Sequence, residues 1–359
     1  MEERVKKVRY ILKVEKLDAL FISSNINIRY LTCFEGFGNH EREGFALLTN
    51  SKLYVFADPR LSEGAKINAK NSTVVEFGAG KKLLPLIQEI IDSENLNVVG
   101  FEENLTFAEY TRFKKLKNTK LKLTEEIIED VRVVKDSDEL ENLKQACKLT
   151  DETFSYVLKH IIVGTSELEV AWEIEKYIRE HGGYLAFPTI AAFEKNSAVP
   201  HHSTGNQKLE KNNIVLLDFG AQVNGYCADM TRTIYFGKAP DEFRKIYKAV
   251  RVGQEKSVKL KTTDNLTCEE IDKTARDYIT FQKYPSVPHS VGHGVGLQVH
   301  ELPHVSPGFT DEILPNTPFT IEPGIYINGV GGVRIEDTVY FDGNTIEQLT
   351  KSDKTLIEI

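Results

Sequence analysis

The chain has 359 residues with 41% hydrophobic and 27% charged side chains, the make-up of a globular protein long enough for two or three cores. A net charge of −8, with no dense Lys/Arg patch among aromatics, excludes a nucleic-acid groove or an anionic membrane as the expected partner. The start MEERVKKVRYILKVEKLDAL has no apolar signal-peptide core, and no stretch reaches membrane-span length. Cys33, Cys147, Cys227 and Cys268 form no CxxC pair, so the expectation is a cytoplasmic protein with free thiols.

In chain order, Val5, Val8, Leu12 and Leu17 repeat at helical spacing over residues 2–17. The run Ala19-Leu20-Phe21-Ile22 reads as a buried strand, and GFALLTNSKLYVFAD (44–58) as a hairpin turning at Asn50-Ser51. A helix at 60–69, a strand at 73–77, a helix at 81–92 and a strand at 97–101 follow, an α/β pattern. Near residue 124 the texture changes. Ser137 precedes acids at the start of a helix expected to run to about Ile162 and to stop at Gly164. A second helix is capped by Thr165 or Ser166 and ends at His181-Gly182-Gly183. From Phe187 onward strands and turns dominate, with helices near 240–261 and 267–282. The expected organisation is an α/β domain over 1–127 and an α+β domain over 128–359, with no repeats and no Pro/Ser linker.

Residues 218–229, DFGAQVNGYCAD, join two strand patterns through Asn224-Gly225, the strongest short hairpin signal. That turn sets Asp229 opposite Gly220, on the face shared by Asp218; a Val223-Asn224 turn would set the two aspartates directly opposite. Either register puts both carboxylates on one face, where like charges need a cation. Solvated aspartates on an edge hairpin are the plain alternative. The DFG letters do not signal a kinase, because no HRDxxxxN loop is present.

Three of the nine histidines, His289, His293 and His300, fall in HSVGHGVGLQVHELP (289–303), with glycines flanking His293. The GxGxG shape is a weak phosphate signal, since it lacks the GxGxxG spacing. In FTIEPGIYINGVGGVRIEDT (319–338), Glu322 and Glu336 lie in strand-like surroundings, and Arg334 shares the face of Glu336. A tight Asn328-Gly329 turn would put the two glutamates on opposite faces. The expectation is therefore a longer loop including Gly331-Gly332, or a bulge. Together Asp218, Asp229, His293, Glu322 and Glu336 form an oxygen-rich set with one imidazole. Such a set suits Mn²⁺, Co²⁺, Fe²⁺ or a catalytic Zn²⁺ pair rather than a thiolate site. Two ions about 3.5–4 Å apart would provide a bridging hydroxide and a Lewis-acid clamp for hydrolysis.

In these five contexts, DFG, DMTRT, GHGVG, EPG and RIEDT, the sequence resembles the metallopeptidases of the pita-bread fold. Residues 1–127 are similar to the N-terminal domain of the prolidase, aminopeptidase P and creatinase branch. The resemblance implies two divalent ions per chain, Mn²⁺ first, with Asp218 on one, His293 and Glu322 on the other, and Asp229 and Glu336 bridging. It implies that Glu322 also handles the proton of the attacking water. His201, in FEKNSAVPHH (193–202), would line the substrate site, His289 and His300 would contact substrate or the tetrahedral intermediate, and Arg334 would orient the acidic groups. Glu194 and Val199 depart from the family's usual glycine and leucine. The complete ligand set argues against creatine hydrolysis and against a non-catalytic binding protein of this fold. The implied activity is cleavage of Xaa-Pro peptides by a homodimer, with aminopeptidase P slightly ahead of prolidase. FEGFGNHEREGF (34–45), with His40, is a candidate loop for closing a dipeptide pocket in a partner subunit.

Overall fold

A computed structural model describes residues 2–38, 43–78, 80–260 and 266–359, which divide into two compact units, Met1–Val131 and Arg132–Ile359. His40 lies outside the described residues.

The first unit is a six-stranded mixed sheet. Its strands run in the spatial order Thr73–Glu76, Leu53–Ala57, Gly44–Thr49, Ala19–Ile22, Val98–Glu102 and Lys120–Thr124. The central strand Ala19–Ile22 is antiparallel to Gly44–Thr49 and parallel to Val98–Glu102, and all three of these neighbours are largely buried, as their near-continuous apolar runs require. The hairpin turns where Asn50-Ser51 foretold, with Leu48 opposite Leu53. The first helix stops at Val14, earlier than the pattern to Leu17 implied, because Lys16 takes a left-handed conformation. Helices Asn25–Thr32 and Phe107–Phe113 and the edge strand Lys120–Thr124 had no counterpart in the sequence reading.

In the second unit Asp136, not Ser137, caps the long helix Ser137–Val157. Its carboxylate accepts from the Glu139 amide, and Glu139 returns the bond, a full capping box. The helix ends at Val157 rather than near Ile162, where the chain turns through Leu158–His160. Ser166 caps Glu167–Glu180 with Glu169 completing the box. These two helices bury Leu149, Phe154, Ile174 and Ile178 against Phe193, Val215, Leu217 and Phe219, from strands Ile190–Phe193 and Asn213–Phe219. A second pair, Asp241–Val258 and Cys268–Phe281, buries Phe243, Val250, Ile271 and Ile279 against Phe319, Ile321, Val333 and Val339. The unit thus has two halves, each a helix pair on an antiparallel sheet. No helix among the described residues is long and apolar enough to cross a membrane.

Candidate metal centre

The first carboxylate pair comes from a hairpin. Strand Asn213–Phe219 pairs with Met230–Phe236, Phe219 facing Met230 and Asp218 facing Thr231. The same register continues through Gln222 opposite Cys227 to Val223 opposite Tyr226. Asn224 and Gly225 carry the turn, both at positive φ (48° and 85°), as a two-residue hairpin of this type demands. Asp229 therefore stands across from Gly220, on the face of Asp218. Gly220 cannot carry a side chain: a Cβ there would lie 1.7 Å from the Ala228 carbonyl oxygen.

The second pair comes from Thr317–Ile321 and Asp337–Phe341, with Ile321 opposite Asp337, and from the ribbon Gly324–Ile327 and Gly331–Arg334, with Gly324 opposite Arg334. Glu322 and Glu336 lie between these pairs, directly across from each other. The turn is three residues, Asn328–Val330, one longer than the tight Asn328-Gly329 pair, so the shared face is restored without a bulge and without extending the loop into Gly331-Gly332. Gly331 and Gly332 are not loop residues. They sit in the strand, where a Cβ on Gly332 would come within 2.1 Å of the Ser197 carbonyl oxygen.

His293 lies on the short strand Gly292–Gly294, whose glycines press against the Thr320 and Leu302 carbonyls. Its Nδ1–H donates to the Gly294 carbonyl (3.1 Å), which leaves the Nε2 lone pair facing Glu322 Oε1 at 3.4 Å and Asp229 Oδ2 at 3.6 Å. Donor atoms of Asp218, Asp229 and Glu336 lie within 4.8 Å of one another, as do those of His293, Glu322 and Glu336. A third such group is Asp229, His293 and His300, so His300, read from sequence as a substrate contact, also comes within reach of the cluster. The His293 and His300 rings meet edge to face with centroids 4.2 Å apart.

Arg334 is buried and donates to Asp218, to Thr231 Oγ1 (2.9 Å) and to the Tyr326 hydroxyl (2.9 Å). Thr231 in turn donates to Glu336 Oε2 at 2.6 Å. His289 Nδ1–H donates to the Ser290 carbonyl, so its Nε2 accepts from the Tyr326 hydroxyl at 2.9 Å. His289 thereby joins the Arg334–Asp218 line through Tyr326. His201 is exposed, beside Pro200, whose carbonyl accepts from Arg334 at 3.4 Å. Sequence reading missed Tyr326 and Thr231. Both carry a period-2 signal, Tyr326 on the face of Glu322 and Thr231 on that of Asp229. Glu194, where the family favours glycine, has φ 48°, the conformation glycine adopts without strain.

The electrostatics follow from burial. Burial first, then the Glu336 charge, holds Asp229 and Glu322 well above the usual carboxylate range. Burial and Asp218 push Glu336 up to about 8. Burial depresses His289 to about 4 and His293 to about 3, so both imidazoles are neutral near pH 7. Four carboxylates facing one small volume can all be ionised near pH 7 only with added positive charge; without it the raised groups hold protons. Two of their buried oxygens, Asp218 Oδ1 and Asp229 Oδ1, have no hydrogen-bond partner. The donor set, its charge and these orphaned oxygens fit divalent cations.

Comparison with known proteins agrees. Residues 141–342 match Metallopeptidase family M24, and residues 4–134 match the Creatinase/Prolidase N-terminal domain. The chain is 32% identical to the Xaa-Pro dipeptidase of Pyrococcus furiosus over 99% of this chain and 100% of that protein. Among solved structures, the Xaa-Pro dipeptidase from Bacillus anthracis matches with a TM-score of 0.93 at 32% identity, covering 100% of this chain and 99% of the other. An X-Pro aminopeptidase from Thermotoga maritima matches with a TM-score of 0.87 at 28% identity, covering 96% and 98%. The architecture is thus a creatinase-type N-terminal domain followed by a pita-bread catalytic domain.

Proposed function

The chain belongs to metallopeptidase family M24, and from that membership we propose that it is an Xaa-Pro dipeptidase using two divalent cations held by Asp218, Asp229, His293, Glu322 and Glu336. The observation that carries the reading is the meeting of two carboxylate pairs and a neutral imidazole in one buried cluster. Glu336, Asp229 and His293 each fall in two of the groups, and of these only the two carboxylates offer two oxygens, which supports both as bridges. When bound, two such ions supply a hydroxide nucleophile at neutral pH and a Lewis acid for the scissile carbonyl.

The chain's own groups do the rest. Glu322, with His293 Nε2 3.4 Å away, takes and returns the proton of the attacking water. Arg334 fixes Asp218, and through Thr231 it orients Glu336. His300 stands at the exposed rim against His293, and it and the exposed His201 donate to the developing oxyanion and border the proline ring. His289 is steadied by Tyr326 and shapes the same wall. An Xaa-Pro bond is a tertiary amide without an N–H, so a site built on ring shape and metal contacts suits it.

The sequence alone leaned slightly to aminopeptidase P. The similarity to Xaa-Pro dipeptidases along the full chain supports the dipeptidase instead, and similarity to the Thermotoga maritima enzyme keeps the aminopeptidase as the second reading. Mn²⁺ as the working ion, a cytoplasmic location and a homodimer belong to the same proposal. Metal analysis after gentle purification, with hydrolysis assays in added Mn²⁺ or Co²⁺, tests it. No bound metal and no Xaa-Pro cleavage would defeat it.

A further inference from the structure

Glu167 opens the helix Glu167–Glu180 and is fully buried, yet no basic side chain of lysine or arginine type is paired with it among the described ion pairs. Its carboxylate is instead filled by four donors. Oε1 accepts from the Phe193 amide (2.8 Å) and Asn196 Nδ2 (2.8 Å). Oε2 accepts from His202 Nε2 (2.9 Å) and the Gly205 amide (3.0 Å). These donors sit at the two ends of one segment, 193–205, so a single carboxylate closes it like a chord. At its apex are Pro200, whose carbonyl accepts from Arg334 (3.4 Å), and the exposed His201, which lies near enough to His289 and His300 to act on both. A buried carboxylate with all its lone pairs committed has one geometry and resists displacement, because each freed donor would be left unpaired.

We propose that Glu167 is a positioning residue for catalysis: with His202 it clamps the 193–205 loop so that His201 is held across the site from His289 and His300. The proposal rests on the reading that His201 faces the substrate. His202 is therefore no second substrate histidine, since its Nε2 is turned inward to Glu167.

The test uses the intact protein loaded with Mn²⁺ and a Xaa-Pro dipeptide, comparing wild type, Glu167→Gln, His201→Ala and the double variant. The glutamine keeps one acceptor but turns an NH₂ toward groups that are themselves donors. Glu167→Gln is expected to lower kcat roughly 10–100-fold, the scale of a misplaced catalytic group, with bound metal and KM nearly unchanged. In the His201→Ala background the same change should cost less than about threefold, because the clamp then has nothing to position. Equal losses in the two backgrounds, or no loss in either, overturn the proposal. His202→Ala should reproduce part of the loss and His202→Gln, which keeps an N–H donor, should restore it; this pair serves if Glu167→Gln does not fold. Hydrogen exchange on metal-free protein gives a readout independent of activity. The Phe193 and Gly205 amides should exchange at least about tenfold faster in the Glu167→Gln or His202→Ala protein, and unchanged protection counts against the clamp. Wild type inactive on every Xaa-Pro peptide would defeat the dipeptidase reading, and the exchange data alone would then decide whether Glu167 fixes the loop.

Discussion

The two hairpins that supply the carboxylates reach one cluster by different geometry. In the first, a two-residue turn at Asn224-Gly225 puts Gly220 across from Asp229, so the two aspartates meet on a diagonal. In the second, a three-residue turn at Asn328–Val330 sets Glu322 directly across from Glu336. The parity of the loop decides this. Strand side chains alternate faces, so adding or removing one turn residue exchanges a shared face for opposite ones. The first hairpin leaves room between its acids for a glycine that could not be anything else. The second needs a direct pair, because its outer strand must also deliver Arg334 two residues earlier.

The comparison can be broken most severely at a ligand. Asp229→Asn should lower metal affinity by more than the roughly 10–100-fold typical of altering an outer partner, and abolish nearly all hydrolysis. Titration calorimetry with Mn²⁺ checks it, and near-normal binding would show the ligand set to be wrong. Next is deletion of Val330, an exposed residue outside the cluster, which shortens the second turn to two residues. Metal stoichiometry should fall although no ligand is changed. Full occupancy would mean that the ribbon absorbs the missing residue without losing the Glu322–Glu336 pairing. Thr231→Val, which removes the hydroxyl between Arg334 and Glu336, should weaken metal binding roughly 10–100-fold with little change in melting temperature.

The smallest effect is expected at the first turn. Gly225→Ala places a Cβ at φ 85° and should cost about 1 kcal/mol of stability with metal content unchanged, because the seven residue pairs beyond the turn hold the register. Thermal melts and metal analysis together distinguish this from a register slip.

How far the sequence could be read follows the same contrast. Asn224-Gly225 announces its own turn type, so the Asp218–Asp229 geometry was open to inspection. Asn328-Gly329 looks like the same signal but is not, because the turn also takes in Val330. Gly331-Gly332 resembles loop sequence although packing against Ser197, a long-range contact, puts it in a strand. Local rules failed similarly at Asp136, where a proper capping box (Asp136, Glu139) stands one residue before Ser137, which the acids after it also favour as a cap. The helix Phe107–Phe113 carried a readable Thr106–Glu109 box that was overlooked. Lys120–Thr124 alternates Lys120 and Lys122 with Leu121 and Leu123 on a sheet edge, a period-2 signal only five residues long. Glu167 had no sequence signal beyond its place in the first helical turn. Its role depends on four donors brought from residues 193–205 by the fold.

The central claim, a two-metal site working on Xaa-Pro dipeptides, is tested most directly by the rates on a Xaa-Pro dipeptide and the matching Xaa-Pro tripeptide in Mn²⁺. The expected result is a kcat/KM for the dipeptide at least about tenfold higher, a difference of roughly 1.4 kcal/mol in transition-state binding. Faster cleavage of the tripeptide, or no metal-dependent cleavage of either, would contradict it.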